Sequence, residues 1–208
     1  MKKNILFITR NGLLEPLGQS QILSYLIPLS NQFLIHIISF EKDKDIENKD
    51  QLSHIENSCI ENNINWTPLT YRKTFRSLGI IIGFFELFFK TVRICKEKKI
   101  DCIHARSYYP AFIALLIYYY KKVPFIFDMR ALWPEELIEA GRLKEKSIPW
   151  KLIKSLEKKC LEKSLAVVSL THAAVEHLDN VYPDFLLKQK TSVIPTCANL
   201  ELFKLKNC

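Results

Sequence analysis

Short apolar runs recur along the chain, and each stops abruptly in small or polar residues. ILFIT at 5–9 gives way to Arg10, Asn11 and Gly12, and DCIHA at 101–105 to Arg106 and Ser107. FIFD at 125–128 gives way to Met129 and Arg130, and AVVSL at 166–170 to Thr171 and His172. Runs of this length, separated by helix-length segments, predict parallel strands joined by crossover helices. Strands are predicted at 4–9, 34–40, 64–70, 100–105, 124–128, 165–170 and 192–196. Helical periodicity fills the gaps: Gln19 to Asn31, a segment carrying Ile46, Leu52 and Ile55, Leu78 to about Lys99, and Tyr108 to Tyr120. A short helix starts near Pro134 and ends at Gly141, a longer one runs from Ser147 to Ser164, and another starts after Thr171. The expected fold is α/β and Rossmann-like: a mostly parallel sheet of about seven strands with helices on both faces. Ligands of such sheets sit outside the carboxyl ends of the strands, so the polar chemistry belongs on one edge.

The run LGIIIGFFELFF near residue 80 is apolar, but Glu86 interrupts it and Lys90 and Arg93 follow. A membrane span needs about 20 mostly apolar residues, so a buried or interfacial helix is expected. Gly79 and Gly83 then mark close packing on the sheet. The helix 147–164 carries Lys151, Lys154 and Lys158 on one face, with Leu152, Ile153, Leu156 and Cys160 roughly opposite. A solvent-facing lysine stripe is the default, and contact with an anionic membrane surface is the sharper alternative.

At 208 residues, 48% hydrophobic and 25% charged, the chain suits one globular core. The net charge of +8 suits anionic partners as well as a plain solvated surface. The six cysteines are scattered with no C-x-x-C pair, and the start resembles a strand rather than a leader, so a cytoplasmic setting is expected. No phosphate loop, G-x-G-x-x-G fingerprint or G-x-S-x-G elbow is present. Asp43-Lys44-Asp45 sits in a charged, exposed run, and His172 and His177 do not share a helix face, so no metal site is expected.

The candidate chemistry falls in three places. In FIFDMRALWPEE, Asp128 ends a strand and Arg130 follows, with Pro134, Glu135 and Glu136 suited to a helix start. An Asp–Arg pair tying the loop is one role; orienting a sugar hydroxyl with Asp128 and holding a phosphate with Arg130 is the other. In IHARS, His104 is either a core or a cleft residue, and Arg106, just past the strand, belongs at the cleft. In the first loop, Arg10 to Gln21, Gly12 and Gly18 permit close backbone approach, and Gly18 is placed to open the next helix with amides free for an anion or a hydroxyl.

Taken in order, GLLEPLGQSQ, ISFEK, IHARSYYPA, PFIFDMRALWPEE, AVVSLTHAA and VIPTCANLELF resemble the N-terminal domain of glycosyltransferase family 4, one lobe of a GT-B fold. The resemblance implies a Rossmann-like lobe at 1–197 that binds the acceptor, with 198–208 leading toward a second, donor-binding lobe. It implies a nucleotide-sugar donor, a glycan or lipid-linked acceptor, retention of anomeric configuration, and no essential metal or other cofactor. Nucleic acid is not an implied partner. Asp128, Arg130 and His104 take the catalytic positions; Gly12, Gly18, Gln19, Arg10 and Arg106 take the positions near donor phosphates and acceptor. Many relatives have a histidine where this chain has Asp128. The family's E-x7-E donor motif has no counterpart here, so a separate donor-lobe chain is a candidate partner and weak turnover is expected of this chain alone. A docking module that recruits a partner to a membrane through Phe84, Phe85 and Phe88, and a sugar-nucleotide epimerase of the same architecture, are the alternative readings.

Overall fold

The computed structural model describes residues 2–71 and 76–196; the side chains of 76–78 and 80 are outside the description, as is the 198–208 segment expected to lead to a second lobe. Seven strands form one sheet: β1 (Asn4–Ile8), β2 (Leu34–Glu41), β3 (Ile64–Thr70), β4 (Cys102–Arg106), β5 (Phe125–Met129), β6 (Ala166–Ser169) and β7 (Thr191–Val193). Their order is β3-β2-β1-β4-β5-β6-β7, and every neighbouring pair is parallel. The order reverses between β1 and β4, where doubly wound sheets open a crevice at the carboxyl edge.

The helices are α1 (Pro16–Gly18) and α2 (Ser24–Ser30), joined by a π-helical turn over Gln19–Leu23, then α3 (Asp43–Ile46), α4 (Lys49–Glu61), α5 (Arg76–Glu97), α6 (Tyr108–Lys121), α7 (Trp133–Glu139), α8 (Ile148–Lys163), α9 (His172–Val181) and α10 (Leu187–Lys190). Their starts follow from local chemistry. Asn48, Ser147 and Thr171 cap α4, α8 and α9 by accepting from the backbone N–H of Gln51, Trp150 and Ala174. Pro134, Glu135 and Glu136 open α7, and Gly141, at φ +65°, follows its end.

Alternation along the strands sends side chains to two faces. On one face Phe7, Ile35 and Ile37 pack with Ile22, Leu26, Ile55 and Cys59 of the segments before α2, in α2 and in α4. On the other, Leu6, Ile8, Ile103, Phe125, Phe127 and Val167 meet Leu87, Ala111, Ile117, Cys160, Leu161, Leu178 and Leu187 from α5, α6, α8, α9 and α10. The second face is covered more fully. On the first, the half of the sheet beyond β4 retains an opening.

Several sequence expectations need correction. The first helical path begins at Pro16, so Gly18 is buried inside it rather than opening a helix with free amides. Proline at its first turn and a π-turn behind it mask the periodicity. Arg106 is the last residue of β4, paired with Asp128 of β5, not a loop residue beyond the strand. Lys154 leaves the lysine stripe of α8: its ammonium is mostly buried against Glu135, at 3.0 Å, and Glu157, while Ile148 and Leu152 are exposed. On α5, Phe84 and Phe88 pack against the core, whereas Phe85 and Phe89 are 54% and 64% exposed. Asp43 and Asp45 sit in the one-turn α3 rather than an open loop.

Candidate active site

The edge where β1, β4, β5 and β6 end holds a cavity of about 240 Å³. Its walls are Ser20, Gln21, Ser24 and Tyr25 from the first helical path, His104 and Arg106 from β4, Asp128 and Arg130 from β5 and its loop, Val168, and Ile194 to Thr196 after β7. Register explains the convergence. His104 and Arg106 are two apart on β4, so they share a face, and Arg106 is directly paired with Asp128. His104 is paired with Phe7, whose ring lies 4.7 Å from the imidazole centroid, so the histidine sits on the half-open face.

Asp128 is the centre, with 4% of its surface exposed. His104 Nε2 and Arg106 Nη1 lie 3.4 and 3.5 Å from its Oδ2, and Arg130 Nη1 lies 3.7 Å from its Oδ1. Gln21 Oε1 accepts from Arg106 Nη2 at 2.9 Å and from Arg130 Nη2 at 3.5 Å. Arg130 also donates to the Thr196 hydroxyl at 3.0 Å. Two buried atoms of this cluster, Asp128 Oδ1 and Arg106 Nε, have no hydrogen-bond partner. A buried acceptor and a buried donor left unpaired cost free energy, and such groups are the natural contacts of a polar ligand. Burial lowers the Arg106 pKa, partly offset by Asp128. Burial, reinforced by Asp128, raises that of Tyr25, whose ring stands edge-on to His104 at 6.1 Å. Just beyond Arg106, Ser107 has φ +74°, a non-glycine residue in a costly conformation of the kind that clusters at functional sites.

The remaining expected residues lie elsewhere. Arg10, two residues past the end of β1, turns to the opposite face: its guanidinium covers the rings of Tyr71 and Tyr109 at 5.6 and 5.3 Å and donates to the Tyr71 hydroxyl. Gly12, Gly18 and Gln19 are absent from the cavity wall. A Cβ on Gly18 would lie 1.9 Å from the Gly12 carbonyl oxygen, and Gln19 donates to the Leu14 carbonyl, so these residues fold the first loop on itself. The sequence reading missed Gln21 and Tyr25, which the π-turn and α2 carry to the cavity, and also Glu41. The available signal for Gln21 and Tyr25 was their i, i+4 spacing in GQSQILSY, on the face next to the buried Ile22 and Leu26. Among the described residues no group of histidine, cysteine and carboxylate side chains could hold a metal.

The sequence model of Glycosyltransferase Family 4 matches residues 32–202. The chain belongs to glycosyltransferase family 4. A search of curated proteins by sequence finds no match. Solved structures share its fold at low identity. Sucrose-phosphate synthase from Thermosynechococcus elongatus superposes with a TM-score of 0.61 at 12% identity, over 97% of this chain and 50% of that one. Anabaena HepE, in complex with UDP and glucose, gives 0.58 at 12% identity, over 95% of this chain and 45% of that one. Arabidopsis thaliana UGT89C1, complexed with UDP-L-rhamnose, gives 0.58 at 11% identity, over 94% and 49%. The chain thus spans about half the length of the solved structures it matches. The family 4 domain seen here has the all-parallel Rossmann-like architecture of one GT-B lobe.

Proposed function

We propose that this chain is the acceptor-side lobe of a cytoplasmic glycosyltransferase that moves a sugar from a nucleotide-sugar donor to a hydroxyl of a glycan or lipid-linked acceptor, with retention at the anomeric carbon. The observation that carries this reading is the cavity around Asp128, where neither Asp128 Oδ1 nor Arg106 Nε has a hydrogen-bond partner. The cavity has room for a sugar ring, and a carboxylate beside guanidinium groups and an aromatic edge is suited to sugar hydroxyls. Asp128 Oδ1 accepts from the attacking hydroxyl and orients it. The new bond forms between that oxygen and the donor's anomeric carbon as the bond from that carbon to the phosphate oxygen breaks. The hydroxyl proton passes to the departing phosphate. Arg106 and Arg130 favour the negative charge that develops there, and His104 holds Asp128 in place. Donors of the UDP-sugar type are the first to test, since two of the three structural neighbours named above are complexes with UDP or a UDP-sugar. No metal takes part in this scheme.

The test is a sugar-transfer assay with UDP-sugars and isolated cell-envelope glycans. It compares this chain alone, this chain joined to a family 4 donor lobe, and that donor lobe alone. Transfer only by the joined protein supports the reading; equal transfer by the donor lobe alone refutes it.

The exposed ridge of α5 favours a second, compatible role. Ile81, Ile82, Phe85 and Phe89 face outward on successive turns, and the helix continues with exposed Lys96 and with Arg93, which is paired with Glu97 at 2.7 Å. An apolar ridge ending in cations suits an anionic bilayer surface. No helix among the described residues is long and apolar enough to cross a membrane. Flotation with phosphatidylglycerol vesicles, lost in Phe85→Ser with Phe89→Ser, is the expected outcome; unchanged flotation of that variant contradicts it.

A further inference from the structure

The loop between β1 and α1 is an anion-binding turn that is already filled from within the protein. Glu41, the last residue of β2, is fully buried. Its Oε1 accepts from the backbone N–H of Leu13 at 2.8 Å and its Oε2 from that of Leu14 at 3.1 Å. The Ser39 hydroxyl donates to the same Oε1, and the Trp66 indole N–H donates in turn to Ser39 Oγ at 2.8 Å. No cation among the described residues pairs with Glu41; its neighbour Lys42 turns to Glu15 at 3.0 Å. Gly12 makes room for the carboxylate, since a Cβ there would lie 2.4 Å from Glu41 Oε2.

Two backbone N–H groups and the Ser39 hydroxyl converge on this side chain, a set that suits a carboxylate; burial raises its pKa, and these three hydrogen bonds oppose the rise. The loop it grips leads directly into the π-turn and α2, which carry Gln21 and Tyr25. Gln21 bridges Arg106 and Arg130. The Leu14 carbonyl is itself held by the Gln19 and Gln51 side chains, so the loop has one defined path into the cavity wall. We propose that Glu41 is a positioning residue: an internal anion that occupies the loop's amides, closes them to a ligand phosphate, and sets the wall bearing Gln21 and Tyr25.

Glutamine is close to isosteric with glutamate but replaces one acceptor oxygen with a donor. Whichever way its amide is turned, either Leu13 or Leu14 N–H then faces an NH₂ group. Glu41→Gln should speed hydrogen exchange at one of those two amides at least tenfold and shift the Gln21 and Arg106 side-chain resonances, while Phe7 and Ile37 keep their protection. Glu41→Ala leaves a carboxylate-sized gap at the amides, and sodium formate, but not formamide, should restore its slow exchange and the Gln21 resonance. Unchanged exchange at both amides and unchanged Gln21 and Arg106 signals in Glu41→Gln would overturn the proposal. So would equal rescue of Glu41→Ala by formamide. If Glu41→Ala does not fold, the glutamine variant alone decides. These readouts need no sugar transfer, so a failure of Glu41 to hold the wall and a failure of the acceptor reading, on which the word site rests, show separately.

Discussion

Two buried charge clusters lie on either side of the β4–α6 turn, and they are built differently. One surrounds Asp128; the other surrounds Glu157 of α8. Glu157 is fully buried, and both its oxygens are used: Oε2 accepts from Tyr108 at 2.7 Å, and Oε1 from Tyr182 at 2.8 Å and from Lys154. Lys154 also reaches Glu135 and lies over the Tyr182 ring. This cluster ties α6, α7, α8 and the end of α9 together. Asp128 has longer contacts, at 3.4 to 3.7 Å, its cluster leaves one carboxylate oxygen and one guanidinium nitrogen without a hydrogen bond, and it opens onto a cavity. Glu135 Oε2, at the margin of the Glu157 cluster, has no hydrogen-bond partner either, but Glu157 at its centre is fully hydrogen-bonded. A satisfied central carboxylate holds a fold together, whereas an incompletely hydrogen-bonded one at a cavity keeps contacts for a ligand. Their responses to substitution should therefore differ in kind.

The largest effect is expected in the closed cluster. Lys154→Met strands the Glu157 and Glu135 carboxylates and should destabilise the fold by about 3 kcal/mol or more in urea unfolding, the range for breaking a buried ion pair. Loss below about 1 kcal/mol would mean that the two clusters are alike. Next comes Arg130→Ala in the open cluster. It should lower transfer by the joined two-lobe protein on the order of a hundredfold, as removal of an electrostatic stabiliser does. Its thermal midpoint should stay near that of the parent, since Arg130 is on the cavity rim. A smaller effect is global. Burial raises the thiols of Cys59, Cys95 and Cys102 to about 11. Their unfolded values are lower, so the native state binds more protons between about pH 9 and 11, and this contribution to stability is lost as pH rises through that window. Denaturation midpoints measured across it should fall steadily. Smallest is Tyr182→Phe, which removes one of the donors to Glu157 and should cost about 1 kcal/mol. A double-mutant cycle with Lys154→Met would show whether the two donors act together.

The sheet was legible because its strands are short apolar runs with distinct ends, and the crossover helices between them leave little freedom in topology. The partners of Asp128 were legible for the same reason: Arg106 ends β4, His104 stands two residues before it, and Arg130 follows β5 directly. Arg10 also lies close to a strand end, yet it points away. It follows Ile8 in the alternation of β1, whereas the cavity shares the face of Phe7. The sequence alone does not say that Phe7 is paired with His104. Lys154 read as surface because lysine usually is, and the carboxylates that bury it come from another helix and from its own next turn. Gln21 and Tyr25 were hidden by Pro16 and the π-turn, which break the helical period just where the wall is built. Glu41 was hidden for the opposite reason: it ends a run of apolar residues, and nothing local tells that its carboxylate faces the backbone of residues 13 and 14.

The open cluster as the seat of sugar transfer is tested most directly by one ratio, the transfer rate of the parent joined protein to that of Asp128→Asn, with both preparations folded to the same thermal midpoint. Asparagine keeps the shape of the side chain and removes the charge between Arg106 and Arg130. A fall of about a hundredfold or more at unchanged stability is the expected result. Undiminished transfer by the asparagine variant would contradict it, and would move the reaction away from this cavity.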